Sequence, residues 1–259
     1  MPVHGARSGF EAVVFDLDGT LVDTAPDLHA HLNELLAELG RAPVGLESVR
    51  PMIGDGARVL IQRALTATGG PPNDTALDDL VTRFVARYTA DPLRGGAVFP
   101  GAVEALEALA ARGVGLGVCT NKPQRPTERL LELLGVAHHF GRGAVIGGDA
   151  LPVRKPDGGH LRAVLERLGV VAEGRGGGRR AAMVGDSRND VLTARAVGVP
   201  CVVVTFGYTT VPPGELGADA VIDRFGELLP ALDRLSPAGA PLDRPPGHTL
   251  HPHSRPRGA

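Results

Sequence analysis

Ala12-Val13-Val14-Phe15-Asp16-Leu17-Asp18-Gly19-Thr20 runs from an apolar, β-branched stretch straight into two carboxylates one residue apart. A short apolar run without alternation suits a strand covered on both faces, as in a parallel sheet, and such sheets bind ligands beyond the carboxyl ends of their strands. Asp-Gly alone is turn chemistry, which accounts for one Asp and the glycine. It does not account for the second carboxylate, whose repulsion from the first calls for a cation or a proton between them.

Outward from this stretch, Val114 to Cys119, Ala144 to Gly147, Ala181 to Val184 and Cys201 to Thr205 are further short apolar runs. Between them lie segments with helical periodicity, such as Val103 to Ala111 and Leu161 to Leu168. Alternation of this kind predicts an α/β protein with a doubly wound parallel sheet, a Rossmann-like core. One connection is far too long for a βα unit of about thirty residues, that from Phe15 to Val114. The excess predicts an inserted helical cap over residues 22–96, leaving 10–21 and 97–235 as the core.

Within the insert, Leu28, Leu32, Leu35, Leu36 and Leu39 form one stripe over Pro26 to Leu39, with Gly40 as a stop signal. Arg58 to Leu65 and Leu77 to Tyr88 are also amphipathic. An insert directly after the acidic strand end is placed to act as a lid. His29 and His31, two apart, face different sides of a helix and are no ligand pair. Gly174 to Arg180 reads as a flexible loop, and 236–259, rich in Pro, Gly, Arg and His, as a disordered tail. His248, His251 and His253 lie in that tail without an ordered scaffold for a metal.

Composition bounds the function. The chain has 259 residues, 43% of them hydrophobic, enough to bury a large core. A net charge of −2 gives no basic footprint for nucleic acid, and with 3% aromatics and no Trp the usual stacking platforms are missing. No apolar run approaches a membrane span and the first residues carry no signal-peptide core, while Cys119 and Cys201 sit in apolar runs as free thiols do. A cytoplasmic protein is expected. Of the 27 cationic residues only Lys122 and Lys155 are lysine, each followed by Pro. A compact ammonium suits a single phosphate oxygen or carboxylate better than a planar guanidinium does, although chance survival of either lysine reads the same in the sequence.

Three later positions complete a constellation. Thr120-Asn121 ends one strand, Lys155 follows the next, and Gly185-Asp186-Ser187-Arg188-Asn189-Asp190 ends another and opens a helix. All lie where a parallel sheet presents ligands. Singly each is weak, Thr-Asn being common in loops and Asp-Ser at helix caps. Together, in this order, they resemble the motifs of the haloacid dehalogenase superfamily. Within it the stretches Val49 to Ala57 with Gln62 to Leu65, Thr120 to Pro123, Val184 to Asp190 and Phe206 to Tyr208 are similar to the bacterial phosphoglycolate phosphatase family, from about Phe10 to Leu235. Lys155-Pro156-Asp157-Gly158 lacks the further prolines usual after that Lys-Pro, but keeps the lysine.

The resemblance implies a Mg2+-dependent hydrolysis of a small-molecule phosphate ester, 2-phosphoglycolate, through an aspartyl-phosphate. It makes Asp16 the nucleophile and Asp18 the acid and base, with Thr120, Asn121 and Lys155 holding phosphoryl oxygens. The metal falls to the Asp16 carboxylate, the Asp18 carbonyl and Asp186, with Asp190 acting behind them or through water. A leaving group that carries a carboxylate calls for a cation from the insert, and Arg63 and Arg58 are the two considered, each equally readable as a surface arginine. Asp18 argues against a dehalogenase, which needs no acid there, and the absence of lysine from 21–95 argues against a phosphonate-cleaving enzyme with a Schiff base. An ion pump would need membrane spans. A phosphatase or mutase on another ester, such as a sugar phosphate, stays open, as does a non-catalytic regulator binding phosphorylated ligands.

Overall fold

The computed structural model describes residues 9–70, 74–171 and 180–236. The expected tail with its three histidines beyond Ser236, and most of the Gly174–Arg180 segment, lie outside the described residues. The chain runs β1 (Ala12–Phe15), β2 (Val22–Asp23), α1 (Ala25–Glu38), α2 (Leu46–Val49), a 3-10 turn (Arg50–Met52), α3 (Ala57–Ala67), α4 (Asp74–Ala90) and β3 (Ala97–Val98). It continues α5 (Ala102–Ala111), β4 (Gly115–Cys119), α6 (Gln124–Leu133), β5 (Val145–Ile146), α7 (Gly158–Arg167), β6 (Ala181–Gly185), α8 (Arg188–Val197), β7 (Cys201–Val204), β8 (Ala220–Ile222) and α9 (Leu228–Leu235).

Six strands form one parallel sheet in the order β5-β4-β1-β6-β7-β8. Strand order reverses at β1, whose Phe15 lies opposite Val118 of β4 and Val184 of β6. That reversal opens a crevice at the carboxyl end of β1, where Asp16 emerges. Both faces are covered, which is why the strands are apolar without alternation. Val13, Phe15, Leu116, Val118 and Val184 pack against α5, α6 and α9. Ala12, Val14, Met183 and Val203 pack against Leu161, Val164 and Leu165 of α7 and Val191 and Ala194 of α8.

The segment between β2 and β3 is helical and has its own buried cluster: Leu28, Leu32, Leu35 and Leu36 meet Ile61, Leu65, Leu80, Phe84 and Tyr88. Leu39 leaves the expected stripe, because α1 ends at Glu38 and Gly40, at φ 65°, turns the chain away, so that Leu39 is exposed. Where this segment enters and leaves the core, β2 and β3 pair antiparallel, Val22 opposite Val98 and Asp23 opposite Ala97. Asp27 fastens the exit: its Oδ1 accepts the backbone N–H groups of Arg94, Gly95 and Gly96 at 2.6, 2.8 and 3.0 Å.

Candidate active site

Asp16 stands at the tip of β1, 4% exposed, with Oδ1 accepting the Leu17 N–H at 2.7 Å and facing Lys155 Nζ at 2.8 Å. Asp186 ends β6 and receives the Tyr208 N–H on Oδ2 at 2.6 Å and the Thr20 hydroxyl on Oδ1 at 3.4 Å. Gly19, at φ 80°, allows the turn after β1 to pass this close: a Cβ there would lie 2.6 Å from Asp186 Oδ2. Asp190, in the first turn of α8, accepts the Lys155 ammonium on Oδ1 at 2.7 Å and the Ser187 hydroxyl and the N–H groups of Asp186 and Ser187 on Oδ2. Asp16, Asp186 and Asp190 each present a carboxylate oxygen within 4.8 Å of the others.

Burial is the largest influence on these acids. It pushes the Asp16 carboxyl up to about 7, with Asp190 and Asp18 adding to the rise and Lys155 opposing it. Burial likewise pushes Asp186 well above the usual carboxylate range, reinforced by the charges of Asp190 and Asp16. Lys155 stays charged despite its burial because Asp16 and Asp190 flank it. Lys155 is bonded to Asp16 and Asp190, and no cation among the described residues is bonded to Asp186, so with its acids ionised the cluster carries more negative than positive charge. Hard oxygen donors with uncompensated charge suit a divalent cation.

Asp18 sits at the mouth, where its Oδ1 accepts the Thr24 hydroxyl at 2.7 Å and the Lys122 ammonium at 3.0 Å. Thr120 follows β4 and is 1% exposed, its Oγ1 accepting the Lys122 N–H at 3.3 Å. The Asn121 side chain bridges two loops, giving Nδ2 to the carbonyls of Gly54 and Lys155 at 3.0 and 3.1 Å and leaving Oδ1 buried without a partner. The turn Gly54-Asp55-Gly56 thus reaches down onto the core. Asp55 also accepts Asn189 Nδ2 at 2.7 Å, and Gly56, at φ 87°, lies so close that a Cβ would be 3.1 Å from the Asn121 carbonyl.

Above Asp16 and Asp18 lies a cleft of about 480 Å³, open mouth included, walled on one side by Leu28, Ile53, Leu60, Phe84 and Tyr88 and on the other by Thr120, Asn121 and Lys122. Neither expected cap arginine lines it. Arg58 pairs with Asp78 of α4, and Arg63 bonds Asp55 at 2.6 Å and the Met52 carbonyl, lining an adjoining opening that contains Asp186 and shares Asp18, Ile53 and Gly54 with the cleft. The sequence left Lys122 outside the set of site residues, although as a retained lysine it suited a phosphate oxygen or carboxylate, and gave no role to Tyr208. Lys122 had a signal, as one of two lysines in an arginine-rich chain. Tyr208 had none beyond its place in a motif.

The family model for haloacid dehalogenase-like hydrolases matches residues 10–198. A phosphoglycolate phosphatase of Rhodospirillum rubrum is 47% identical over 246 residues, covering 93% of this chain and 99% of that protein. One from Caulobacter vibrioides is 46% identical over 213 residues, 82% of this chain and 86% of that protein. Among solved structures, a predicted phosphoglycolate phosphatase from Haemophilus somnus superposes with a TM-score of 0.78 at 30% identity, covering 87% of this chain and 99% of that one. CbbY from Rhodobacter sphaeroides, in complex with phosphate, superposes with a TM-score of 0.67 at 28% identity, covering 86% and 99%.

Proposed function

The chain belongs to the haloacid dehalogenase-like hydrolase family, and we propose that within it this protein hydrolyses 2-phosphoglycolate to glycolate and phosphate, working with Mg2+. The chemistry rests on the buried Asp16 carboxylate, held 2.8 Å from Lys155 inside a trio of aspartates at a strand-order reversal. The substrate rests on the relatives named above.

Asp16 and Asp186, with the Asp18 carbonyl, are the groups to hold the metal. Both oxygens of Asp190 are already taken by Lys155 and by donors of residues 186 and 187, so it orients the others from behind. Held there, a divalent cation would neutralise charge on the phosphoryl group and favour ionised Asp16. Asp16 then forms a bond to phosphorus as the bond to the leaving alkoxide breaks, and Asp18 gives its proton to that alkoxide, releasing glycolate. In the second half Asp18 takes a proton from water, which attacks phosphorus and breaks the bond to Asp16. Thr120, the Asn121 backbone N–H and Lys155 hold the phosphoryl oxygens through both displacements. The free, buried Cys119 and Cys201 suit a reducing compartment, and a cytoplasmic setting is part of this reading.

Asp16→Asn is expected to keep the thermal transition and stop turnover, and a chelator to stop the wild type until Mg2+ is returned. On a panel of phosphate esters 2-phosphoglycolate is expected to rank first by kcat/KM. A sugar phosphate cleaved more efficiently overturns the substrate; a phosphoryl label mapped to another residue overturns the nucleophile.

A further inference from the structure

The two lysines divide the site between them. Lys155 lies at the nucleophile end, bonded to Asp16 and Asp190. Lys122 lies at the acid end, 3.0 Å from Asp18 Oδ1, with its ammonium 4.3 Å from the centre of the Tyr88 ring. It is 4% exposed, and among the described residues it is the one cationic residue lining this cleft, whereas Arg63, bonded to Asp55, and Arg188 line the adjoining opening on the Asp186 side of Asp18.

We propose that Lys122 binds the anionic group of the leaving alcohol, so that preference for 2-phosphoglycolate over uncharged esters comes from a core loop and not from a cap arginine. The inference rests on the function proposed above. An ammonium has three N–H donors, and among the described residues Asp18 is its one hydrogen-bond acceptor, so donors remain for a ligand. Position agrees with chemistry. Asp18 acts on the leaving oxygen, and in 2-phosphoglycolate one CH2 separates that oxygen from the carboxylate. A carboxylate on Lys122 therefore keeps the bridging oxygen near Asp18 while the phosphoryl group stays with Lys155. The facing wall is Leu28, Ile53, Leu60 and Phe84 with Tyr88, whose buried hydroxyl has no partner and carries no charge, and by excluding water this wall strengthens the charge pair.

The test compares 2-phosphoglycolate with 2-hydroxyethyl phosphate, in which CH2OH replaces the carboxylate, in wild type, Lys122→Met and Lys122→Arg. The readout is the ratio of the two kcat/KM values within each variant, from which any misfolded fraction cancels. Lys122→Met is expected to lower this ratio about thirtyfold, the range for a hydrogen-bonded charge, while Lys122→Arg, which keeps the charge, retains most of it. A wild-type ratio persisting in Lys122→Met overturns the role of Lys122 and leaves the proposed substrate standing. A wild type that prefers the uncharged ester overturns both. A wild type that prefers a different anionic ester, with the preference lost in Lys122→Met, overturns the substrate and supports the lysine.

Discussion

His160 lies at the start of α7, fully buried, with Nε2 3.1 Å from the Ile146 carbonyl and Nδ1 without a partner. Burial, joined by the charge of Lys155, lowers it from 6.5 to about 4. The sign follows from the neutral form being the native one. Below 6.5 the unfolded chain takes up a proton that the folded chain refuses, so this contribution to stability is whole above 6.5 and is lost as pH falls towards 4. By pH 5 the loss is about 2 kcal/mol. His160→Gln keeps an N–H for the Ile146 carbonyl and removes the titration. Urea unfolding at pH 7 and pH 5, with Mg2+ fixed, is expected to show a smaller acid loss in the variant; equal losses reject the assignment. At this scale the sequence is legible where a residue ends a strand, as Asp16, Thr120 and Asp186 do, because the sheet itself fixes what lies there. Lys155 was legible for a different reason, the scarcity of lysine. Partners distant along the chain were not legible: Lys122 meets Asp18 across 104 positions, and Arg58 turns to Asp78 on a neighbouring helix whose packing no periodicity reveals.

The loop after β7 joins three elements through Tyr208. Its N–H holds Asp186, its hydroxyl donates to Asp23 Oδ1 at 2.5 Å and accepts the Ala25 N–H at 3.0 Å, and its ring lies 5.4 Å from the Arg50 guanidinium. Arg50 in turn meets Asp23 at 3.3 Å. The hydroxyl is tied to β2 and the start of α1, the backbone to the aspartate cluster. Tyr208→Phe is expected to lower stability by about 1 kcal/mol and to speed hydrogen exchange at the Ala25 amide, while the rise in Tm on adding Mg2+ survives. Loss of that rise would mean that the hydroxyl, and not the amide, positions Asp186. Elements were legible in proportion to their length. The five core strands read from the sequence are all present, and so are the long amphipathic helices. β2 and β3, two residues each, fall below any periodicity, and β8 offers only Ala220–Ile222.

Across the whole molecule, the sheet's two buried clusters and the cap's cluster are separate, and the chain crosses between cap and core at the paired β2 and β3. A protein in which Thr24–Gly96 is replaced by a two-residue turn is therefore expected to unfold cooperatively and to keep its thermal response to Mg2+. It is expected to lose efficient cleavage of 2-phosphoglycolate, having lost the apolar wall over Lys122, while still cleaving p-nitrophenyl phosphate slowly. Absence of a cooperative transition would show that the core needs the cap to fold. The long gap between β1 and β4 reads as an insertion because one βα connection cannot absorb so many residues. Which cap side chains face the cleft depends on how α3 and α4 pack together, and that packing is written in no single stretch.

The pairing of Val22 with Val98 has a historical consequence. Antiparallel partners stand about 5 Å apart, so the core sees the whole excursion as little more than the tip of a hairpin. Descent can lengthen, exchange or discard what hangs there without redrawing the sheet. The acids that cut the phosphate ester and the cover that shelters it are then free to diverge at different rates. A lineage can reshape the shelter over its site by changing its cover while inheriting its cutting edge, Lys122 included, whole.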